Sequence, residues 1–458
     1  MNLNAKNVLI MGLGKSGISA LNLLYNKEST FYLYDQKEEA LKTASEFINR
    51  MPNAFCVKNV DDKILEDINL IILSPGINKE NEIIIKAKAK NITVMSELEL
   101  GYLSCKNKFL CVTGTNGKTT VSCLLGHILK TAKKRVSVVG NVGIPVTSKI
   151  NKHTKHDAFV CEVSSFQLDT SERFRPHIAA VLNIREDHLD YHKTMQNYID
   201  AKYKIAKFMA KKDHLVLNEN CKITKKLKDS AHCSIYFFNT KKECFGSFIK
   251  NGEVIINIKK PVQIMSVKQI PFLGEHNKEN VLCAALMAYL YGIKPKFIKQ
   301  GVMSFKLPPH RIETIAEANG AEYIDDSKAT NVDSTVAAVK AMTKPTYLIL
   351  GGSDKGYDFD ILFKNLTEKI KECAVCGATA DKLMASAQKL GYKNITKFNT
   401  LKEAVTYCFN KVKVGECVLL SPANASFDEF KNYVDRAEHF KAYIEELQAS
   451  GNQVRGKR

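Results

Sequence analysis

The segment 109–120, Phe-Leu-Cys-Val-Thr-Gly-Thr-Asn-Gly-Lys-Thr-Thr, constrains the fold of this chain more than any other stretch. It begins as an apolar run typical of a buried strand and stops at a turn that carries two glycines. Apolar residues then recur at helical spacing, at Val121, Leu124, Leu125, Ile128 and Leu129. The segment therefore predicts a strand, a loop and a helix in direct succession.

The residue types of this loop suit a phosphate group. Gly114 and Gly117 let the backbone bend until its N–H groups converge on an anion, and the start of the following helix favours negative charge. Lys118 adds a cation, and the Thr119 hydroxyl can ligate magnesium. The general nucleotide-loop pattern has a glycine where this chain has Val112, so the prediction depends on the order strand, loop, helix. The alternative is a turn without a ligand.

Length and composition predict a soluble protein of three domains. At about 150 residues per domain, 458 residues suggest three domains. Apolar residues make up 45% of the chain, and no run approaches the roughly twenty apolar residues that span a bilayer. The N-terminus leads into a strand at Val8 without a signal-peptide segment. We therefore expect a cytoplasmic protein that does not insert into membranes.

The thirteen cysteines are odd in number, have no regular spacing and mostly lie in apolar runs, which favours reduced thiols over a disulfide framework. Cys373 and Cys376 have the spacing of a redox or zinc pair. They lie in a strand-like run without a second pair, so buried thiols are the preferred interpretation.

The net charge of +19 is compatible with a nucleic-acid partner, with small anionic substrates or with a lysine-rich composition alone. The lysines are spread along helices without interleaved aromatic residues. We therefore expect anionic small ligands and no nucleic acid. A nucleic-acid-associated ATPase is the alternative.

Residues 12–17, Gly-Leu-Gly-Lys-Ser-Gly, follow a first strand and open a helix, and a second strand ends at Asp35. This order is the fingerprint of a Rossmann-type domain. By itself it predicts a dinucleotide site with Asp35 on a ribose hydroxyl, as in a nicotinamide-dependent dehydrogenase; the alternative is glycines that serve packing only. Ser74 follows another strand, at the edge where open α/β sheets bind ligands. We assign this domain to residues 1–105.

The central domain, residues 106–307, has polar residues directly after its strands. Glu162 closes an apolar run near the phosphate loop, where a carboxylate can ligate magnesium; the alternative is a surface acid. His188 follows the next strand and is either functional or a loop histidine. Lys202 lies on an amphipathic helix, where a lysine ordinarily faces solvent, and Asn280 can act as a simple helix cap.

Residues 308–458 form a third alternating α/β segment after a proline-containing linker. Its strands end in clusters of polar residues and glycine at 325–331, 351–355 and 421–427. Together the three segments predict an α/β fold with a Rossmann-like N-terminal domain, a P-loop mononucleotide-binding central domain and a Rossmann-like C-terminal domain.

With these motifs in view, the chain resembles the Mur ligases of peptidoglycan synthesis. Six motifs occur in the order and approximate spacing of that family, over nearly the whole chain. They are 114–119, Glu162 with 164–168, 183–188, 274–280, His310 with Arg311, and 326–331. The loops 12–17, 74–77 and 326–331 are similar to those of the family member that adds D-glutamate.

The resemblance implies a monomeric, ATP-dependent ligase that adds D-glutamate to UDP-N-acetylmuramoyl-L-alanine. A carboxylate is a poor electrophile, so the γ-phosphoryl group of ATP would pass to the alanyl carboxylate, and the amine of D-glutamate would attack the resulting acyl phosphate. A hinge near Leu307 would let the third domain close and exclude water. The alternative is a related ligase such as folylpolyglutamate synthase, which should lack the amino-terminal glycine loop.

The resemblance also implies the binding residues. The first domain would bind the UDP part of the substrate rather than NAD, through Gly14, Lys15, Ser16, Asp35, Gln36, Ser74 and Asn141. The implied ATP contacts are Gly114, Thr115, Asn116, Gly117, Lys118, Thr119, Thr120, Asn277, Asn280, Arg311 and Asp326. The implied D-glutamate contacts are Lys328, Thr330, Lys355, Ser426, Phe427 and Tyr433.

Two magnesium ions are implied as well, with Thr119, Glu162, His188 and Lys202 as ligands. The implied catalytic residues are Lys118, Glu162, His188 and Lys202. An ammonium ion cannot ligate a cation, but a neutral lysine amine reacts with carbon dioxide to give a carbamate, whose oxygens suit magnesium. The resemblance implies such a carbamate at Lys202, and a plain surface lysine is the alternative.

Overall fold

The computed structural model describes residues 6–141, 143–150 and 157–455. Residues 1–5, part of the stretch used above to argue against a signal peptide, lie outside this description. The described chain contains three sheets, of five, nine and six strands, with helices between the strands. The predicted α/β fold is confirmed. Within the described ranges no helix is long and apolar enough to cross a membrane.

The first sheet is entirely parallel. Its strands are β1 (Asn7–Met11), β2 (Thr30–Tyr34), β3 (Ala54–Cys56), β4 (Leu70–Leu73) and β5 (Thr93–Ser96). Its helices are α1 (Lys15–Leu24), α2 (Glu38–Ile48), α3 (Asp62–Asp67), α4 (Glu82–Ala89) and α5 (Glu97–Leu103). The order β3-β2-β1-β4-β5 puts the apolar strands β1 and β4 at the centre, where helices on both faces bury them. The ends of β1, β2 and β4 thus meet at one edge.

The second sheet has nine strands. They are β6 (Lys108–Thr113), β7 (Val136–Gly140), β8 (Ala158–Glu162), β9 (Ile178–Val181), β10 (His214–Asn218), β11 (Ser234–Asn239), β12 (Gly246–Lys250), β13 (Glu253–Asn257) and β14 (Pro261–Ser266). Its helices are α6 (Lys118–Thr131), α7 (Ser165–Asp169), α8 (Leu189–His192), α9 (Met195–Tyr203), α10 (Lys222–Lys226), α11 (Glu275–Leu290) and α12 (Pro295–Met303).

In this sheet the order is β14-β13-β12-β11-β10-β9-β6-β8-β7. The strands from β7 to β12 run parallel, and β13 and β14 add an antiparallel extension at one side. β6, which leads into the phosphate loop, lies between β8 and β9. The segments that follow β8 and β9 therefore emerge beside that loop, as parallel strands require.

The third sheet has the order β15-β16-β20-β17-β18-β19, and its only antiparallel pair among the described strands is β15 with β16. Its strands are β15 (Glu313–Ala318), β16 (Ala321–Asp325), β17 (Thr346–Gly351), β18 (Ile370–Cys376), β19 (Ile395–Lys397) and β20 (Cys417–Ala423). Its helices are α13 (Val332–Ala341), α14 (Asp360–Lys364), α15 (Ala380–Lys389), α16 (Leu401–Lys411) and α17 (Tyr433–Arg455).

The chain divides into two compact units. One unit runs up to Pro271 and includes Lys278–Phe305, so it contains the first two sheets. The other combines Phe272–Asn277 with the chain from Lys306 onward and contains the third sheet.

Buried polar contacts join the first two sheets within their unit. The main-chain N–H and the hydroxyl of Thr147 both donate to Oε1 of Glu97, each over 2.7 Å. The hydroxyls of Ser96 and Ser171 lie 2.7 Å apart. Glu97 and Ser96 are nearly inaccessible to solvent. These contacts fix α5, which follows the first sheet, against the second.

All thirteen cysteines lie in the described residues and are free thiols. Cys373 and Cys376 are buried on β18, so their spacing reflects two core positions of one strand.

Candidate functional site

The loop between β6 and α6 turns at two glycines. The angle φ is 150° at Gly114 and 84° at Gly117, in the range that favours glycine. A β-carbon at position 117 would lie 2.5 Å from Oδ1 of Asn280, so no side chain fits there unless Asn280 moves. α6 starts directly after Gly117 and has no acidic residue in its first turn. Such a helix start suits an anionic ligand, as the sequence predicted.

Residues that follow β9 hold this loop in shape. The N–H of Thr115 donates to the carbonyl of Asn183 over 2.8 Å, and the N–H of Asn116 donates to Oδ1 of Asn183 over 2.8 Å. In return, Nδ2 of Asn183 donates to the carbonyl of Asn116 over 3.1 Å. The Thr115 hydroxyl donates to the carbonyl of Arg185 over 3.1 Å. The motif around Asn183 therefore preforms the phosphate loop.

Two lysines meet at the carbonyl of Gly114. Nζ of Lys118 donates to this oxygen over 2.9 Å and to the carbonyl of Thr115 over 2.8 Å. Nζ of Lys202 donates to the Gly114 carbonyl as well, over 2.9 Å, and lies 4.6 Å from the ring centre of Tyr198. Lys202 is only 1% exposed, so the alternative of a plain surface lysine is wrong.

The electrostatic environment of Lys202 favours its neutral form. Burial is the main cause that holds the pKa of this amine well below its ordinary value, and the charge of Lys118 acts in the same direction. The carboxylates of Asp187 and Glu162 oppose this effect without reversing it. A neutral amine next to the phosphate loop is the form that reacts with carbon dioxide.

Glu162 is buried at the end of β8, with 2% of its surface exposed. The alternative of a surface acid is therefore wrong. Its Oε1 accepts a hydrogen bond of 2.8 Å from Nδ2 of Asn141. Its Oε2 is buried and has no hydrogen-bond partner among the described residues. A buried carboxylate oxygen without a donor is costly unless a cation binds it, so this position fits a magnesium ligand. Asn141 thus orients Glu162.

His188 lies just after β9, as predicted, and starts α8 in a left-handed conformation with φ of 55°. Its Nε2 lies 3.5 Å from Oδ2 of Asp187. Its ring meets the ring of Phe166 edge to face, with centroids 4.9 Å apart. Phe166 is on the segment that follows β8. Glu162 ends β8 and His188 follows β9, and both of these strands pair with β6. The two residues therefore lie at the same edge of the sheet as the phosphate loop, which follows β6.

Sequence reasoning missed an aromatic and polar cluster beside these residues. The Tyr198 hydroxyl lies 3.1 Å from the hydroxyl of Thr115, and the Tyr198 ring is fully buried. Nε2 of His192 lies 2.9 Å from the hydroxyl of Ser165. Burial lowers the pKa of His192 to about 4, so its ring is neutral near pH 7. The signal that could have found this cluster is the crowding of histidine and tyrosine over residues 188–198.

The first sheet carries a cavity of about 560 Å³ at the ends of β1, β2 and β4. Six of the seven predicted UDP contacts line this cavity, and Asn141 is not among them. The lining residues are Met11, Gly12, Gly14, Lys15, Ser16, Tyr34, Asp35, Gln36, Ser74, Pro75, Gly76, Ile77, Asn78 and Asn81. Tyr34, Asn78 and Asn81 were not predicted as contacts; Tyr34 ends β2, and the two asparagines lie between β4 and α4.

Asp35 shapes the glycine loop of this cavity. Its Oδ2 accepts the N–H of Leu13 over 2.8 Å, and its Oδ1 accepts the N–H of Lys37 over 2.9 Å. A β-carbon at Gly17 would lie 2.0 Å from the carbonyl oxygen of Gly12, so glycine is required where α1 meets the loop. The Rossmann fingerprint is thus structurally correct.

In the second unit, Asp326 follows β16 and is 7% exposed. Its Oδ2 accepts a hydrogen bond of 2.7 Å from the Ser421 hydroxyl. Burial raises the pKa of Asp326 to about 7, against the influence of Ser421 and Arg311. The predicted ATP contacts are distributed over both units: Asn277, Arg311 and Asp326 belong to the second unit and the remainder to the first.

His310, Glu313 and Asp325 bring possible metal-ligand atoms within 4.8 Å of one another. Nδ1 of His310 lies 2.7 Å from Oδ2 of Asp325, and the N–H of His310 donates to Oε2 of Glu313 over 2.8 Å. These hydrogen bonds engage the three residues of the cluster with one another. Its structural effect is to fix the backbone next to Arg311.

The predicted D-glutamate residues lie after the strands of the third sheet, apart from Tyr433, which starts α17. Nζ of Lys328 lies 3.8 Å from the ring centre of Tyr433, so these two are brought together. Ser426 is buried, whereas Phe427 is 73% exposed. Lys355 lies 6.0 Å from the ring centre of Tyr357. The N–H of Thr330 donates to the carbonyl of Lys328 over 2.9 Å.

The fold and these sites define a class of α/β proteins in which a P-loop nucleotide site and a Rossmann-like domain occur in one chain. Three family models match successive parts of the sequence. They are "Mur ligase MurD-like, N-terminal domain" at residues 6–96, "Mur ligase middle domain" at residues 112–288 and "Mur ligase, glutamate ligase domain" at residues 310–424. The chain belongs to the Mur ligase family, which confirms the resemblance inferred from its motifs.

Curated relatives match over the full length. The UDP-N-acetylmuramoylalanine--D-glutamate ligase of Caldanaerobacter subterraneus is 38% identical, over 98% of this chain and 100% of its own. The protein of the same name from Clostridioides difficile is 35% identical, over 98% of this chain and 100% of its own.

Solved structures share the fold. The UDP-N-acetylmuramate-alanine ligase MurC of Thermotoga maritima has a TM-score of 0.61 and 18% identity, and the match covers 98% of this chain and 100% of that chain. The folylpolyglutamate synthase of Mycobacterium tuberculosis, described as complexed with ADP and AMPPCP, has a TM-score of 0.55 and 13% identity, and the match covers 74% of this chain and 92% of that chain.

Proposed function

We propose that this chain joins D-glutamate to UDP-N-acetylmuramoyl-L-alanine in peptidoglycan precursor synthesis, with ATP as the energy source. The observation that carries this proposal is its full-length similarity, at 38% identity, to ligases named for that reaction. The family is ATP-dependent, and the preformed loop 114–119 supplies the corresponding phosphate site. The match of the MurD-like N-terminal model at residues 6–96 favours this function over folate polyglutamylation.

We assign three roles to three segments. Residues 1–105 bind the UDP part of the substrate, residues 106–307 bind ATP, and residues 308–458 bind D-glutamate. The cavity of about 560 Å³ at the first sheet supports the first assignment, because Lys15 and the start of α1 give its wall positive charge for a diphosphate.

The phosphate loop binds the triphosphate of ATP. Gly114, Gly117 and the amides at the start of α6 surround the phosphates, and the Lys118 ammonium exchanges its present carbonyl partners for γ-phosphate oxygens. The resemblance also implies Asn277, Arg311 and Asp326 as nucleotide contacts. Positive charge at Lys118 stabilises the phosphoryl group as it passes to the alanyl carboxylate.

Magnesium fits the residues next to this loop. The Thr119 hydroxyl, Glu162, His188 and a carbamate on Lys202 would hold two ions, which supply positive charge to the phosphate groups. The buried Oε2 of Glu162, which has no partner among the described residues, supports this assignment. Asn141 orients the same carboxylate through its other oxygen.

Carbamylation of Lys202 is the chemical modification that this site favours. A lysine amine must be neutral to attack carbon dioxide, and burial lowers the pKa of Lys202 well below its usual value. In the reaction the N–C bond forms as the amine loses a proton, and the product is a carboxylate-like anion. That anion would place beside Lys118 a charge opposite to the charge of its ammonium group.

D-glutamate binds at the strand ends of the third sheet. An amino acid with two carboxylates requires cations and hydroxyl donors, and this edge offers Lys328, Thr330, Lys355 and Ser426, together with Phe427 and Tyr433. The Lys328 ammonium lies against the Tyr433 ring, 3.8 Å from its centre, which holds it at this edge.

We propose that the enzyme works in the cytoplasm, as a monomer and without a nucleic-acid partner. The net charge of +19 would then attract the three anionic substrates.

Phosphate release from ATP tests the proposal. We expect release only when UDP-N-acetylmuramoyl-L-alanine and D-glutamate are both present. A folate substrate with L-glutamate serves as the comparison for the alternative ligase. Release with the folate pair, or release that does not depend on D-glutamate, would contradict the proposed function.

A further inference from the structure

Arg436 is a buried cation in the first turn of α17, with 3% of its surface exposed. Within the described ranges it forms no ion pair. Its guanidinium instead donates to three main-chain carbonyls: Nη2 to Ser327 over 2.9 Å and to Asn424 over 3.1 Å, and Nη1 to Ala425 over 3.3 Å. One side chain thus connects the segment after β16 with the segment after β20.

This arrangement is energetically demanding. Burial lowers the pKa of Arg436 to about 10, and the N-terminal turn of a helix is an unfavourable place for a cation. Its Nε is buried and has no hydrogen-bond partner among the described residues. The planar guanidinium can serve several acceptors in one plane, which a lysine ammonium at the same place cannot do with the same geometry.

The segment after β20 is held in a strained shape. Ala423, the last residue of β20, has φ of 62°, a left-handed conformation that is unfavourable for a residue other than glycine. Directly after it, the carbonyls of Asn424 and Ala425 turn inward to Arg436. Because the peptide bonds are trans, the N–H groups of Ala425 and Ser426 point away from Arg436. The hydrogen bonds of the guanidinium therefore orient the N–H groups of Ala425 and Ser426 toward the opposite side of this loop.

A second set of contacts, made by the exposed Asp428, fixes the neighbouring loops. Oδ2 of Asp428 accepts the N–H of Ala378 over 3.0 Å, and its Oδ1 accepts the hydroxyl of Ser353 over 3.3 Å. Ser353 also donates its N–H to the carbonyl of Ala425 over 2.8 Å. The loops after β17, β18 and β20 are thus interconnected, and Arg436 adds the loop after β16 to this set.

We propose that Arg436 is a positioning residue for the amino-acid substrate. It acts through the two loops whose carbonyls it binds, since these loops carry Lys328 and Ser426, and it does not touch the substrate. This inference rests on the proposed function, which assigns those side chains to D-glutamate.

The test compares Arg436→Lys and Arg436→Met with the wild-type enzyme. We expect the KM for D-glutamate to rise about tenfold in Arg436→Lys and further in Arg436→Met, because the loops lose hydrogen bonds from a charged donor. The KM for the UDP substrate should change less than about twofold, since the first-sheet cavity keeps its own contacts. The KM for ATP should rise less than that for D-glutamate, because Asp326 is the one implied ATP contact next to a carbonyl that Arg436 binds. Thermal unfolding is recorded for both variants.

Arg175→Met is the matched control. Arg175 forms an ion pair of 2.7 Å with Asp213 in the first unit, so its loss removes a partly buried arginine contact far along the chain from the D-glutamate residues. We expect a lower melting temperature with an unchanged KM for D-glutamate. This control separates a general loss of stability from a loss of positioning.

An unchanged KM for D-glutamate in folded Arg436→Lys, or equal increases for all three substrates, would overturn the inference. If both variants fail to fold, hydrogen exchange on the wild-type enzyme decides: D-glutamate should protect residues 326–331 and 421–428 together, and protection of neither segment would overturn it. Wild-type enzyme without D-glutamate-dependent phosphate release would instead contradict the proposed function itself.

Discussion

Lys118 and Lys202 donate hydrogen bonds to the same atom, the carbonyl oxygen of Gly114, and both distances are 2.9 Å. Two ammonium ions on one acceptor repel each other, and the repulsion is strongest where water is excluded. Lys202 is the more deeply buried of the two, and burial holds the pKa of its amine well below the ordinary value. The proposed function assigns the charged form to Lys118, for phosphate, and the neutral form to Lys202, for carbamylation.

Lys202→Arg should be inactive, with turnover reduced at least about a hundredfold. Arginine keeps the charge and the reach but stays protonated and cannot form a carbamate. For the same reason, wild-type activity should fall in bicarbonate-depleted buffer and on mild acidification, and added bicarbonate should restore it. Phosphate release is the measurement. An active Lys202→Arg enzyme would remove Lys202 from the mechanism.

Lys118→Ala should lower ATP turnover by about two to three orders of magnitude while the protein remains folded. The loop amides alone do not neutralise a transferring phosphoryl group. Lys130→Ala, on the exposed end of the same helix α6, is the matched control and should keep wild-type turnover. Circular dichroism checks the fold of both. Turnover of Lys118→Ala at the wild-type level would refute the assignment of this loop.

Lys355→Ala should raise the KM for D-glutamate about tenfold and leave the KM for ATP nearly unchanged. A carboxylate that loses a cationic partner loses a charge-assisted hydrogen bond. Lys364→Ala, an exposed lysine on α14 in the same unit, serves as control and should alter neither constant. Steady-state kinetics with each substrate varied in turn provides the comparison. Equal effects of Lys355→Ala on both constants would argue against its placement at the amino-acid site.

Asp326→Asn should make the protein more stable at pH 8. Burial raises the pKa of Asp326 from 3.8 to about 7, so the folded state holds this proton more tightly than the unfolded state does. Stability from this group is therefore fully present below about pH 4 and is lost as the pH rises to about 7. An amide removes this dependence.

The expected gain at pH 8 is on the order of 2 kcal/mol. Denaturant unfolding of both proteins at pH 5 and pH 8 measures it. Asp333→Asn, an acid in the first turn of α13, is the control for a general charge effect. Parallel pH profiles for wild type and Asp326→Asn would show that Asp326 is not protonated in the folded state.

The parts of the site that are local in sequence were predictable. A strand, a glycine-bearing turn and a helix follow one another within residues 109–120, and the same is true of residues 12–17. Both loops occur in the structure where their sequences indicated. The order of strands then explains why Glu162 and His188 flank the phosphate loop, because β8 and β9 both pair with β6.

The parts that depend on long-range contacts were not predictable. The amphipathic pattern of α9 indicated a solvent-facing Lys202, whereas this side chain is buried against Gly114, 88 residues earlier in the chain. The role of Asp35 in shaping its own glycine loop, and the contact between Asn141 and Glu162, likewise need the tertiary structure. The roles of these residues toward ligands stay predictions.

Gly117 has a left-handed backbone, and a β-carbon added to it would lie 2.5 Å from Oδ1 of Asn280. Every substitution at this codon therefore strains the backbone and displaces a neighbouring amide at the same time. A small molecule that makes its main contact with the peptide unit of Gly117 would therefore bind where every substitution carries a structural cost. We expect resistance to such an inhibitor to arise more readily at other positions of the site.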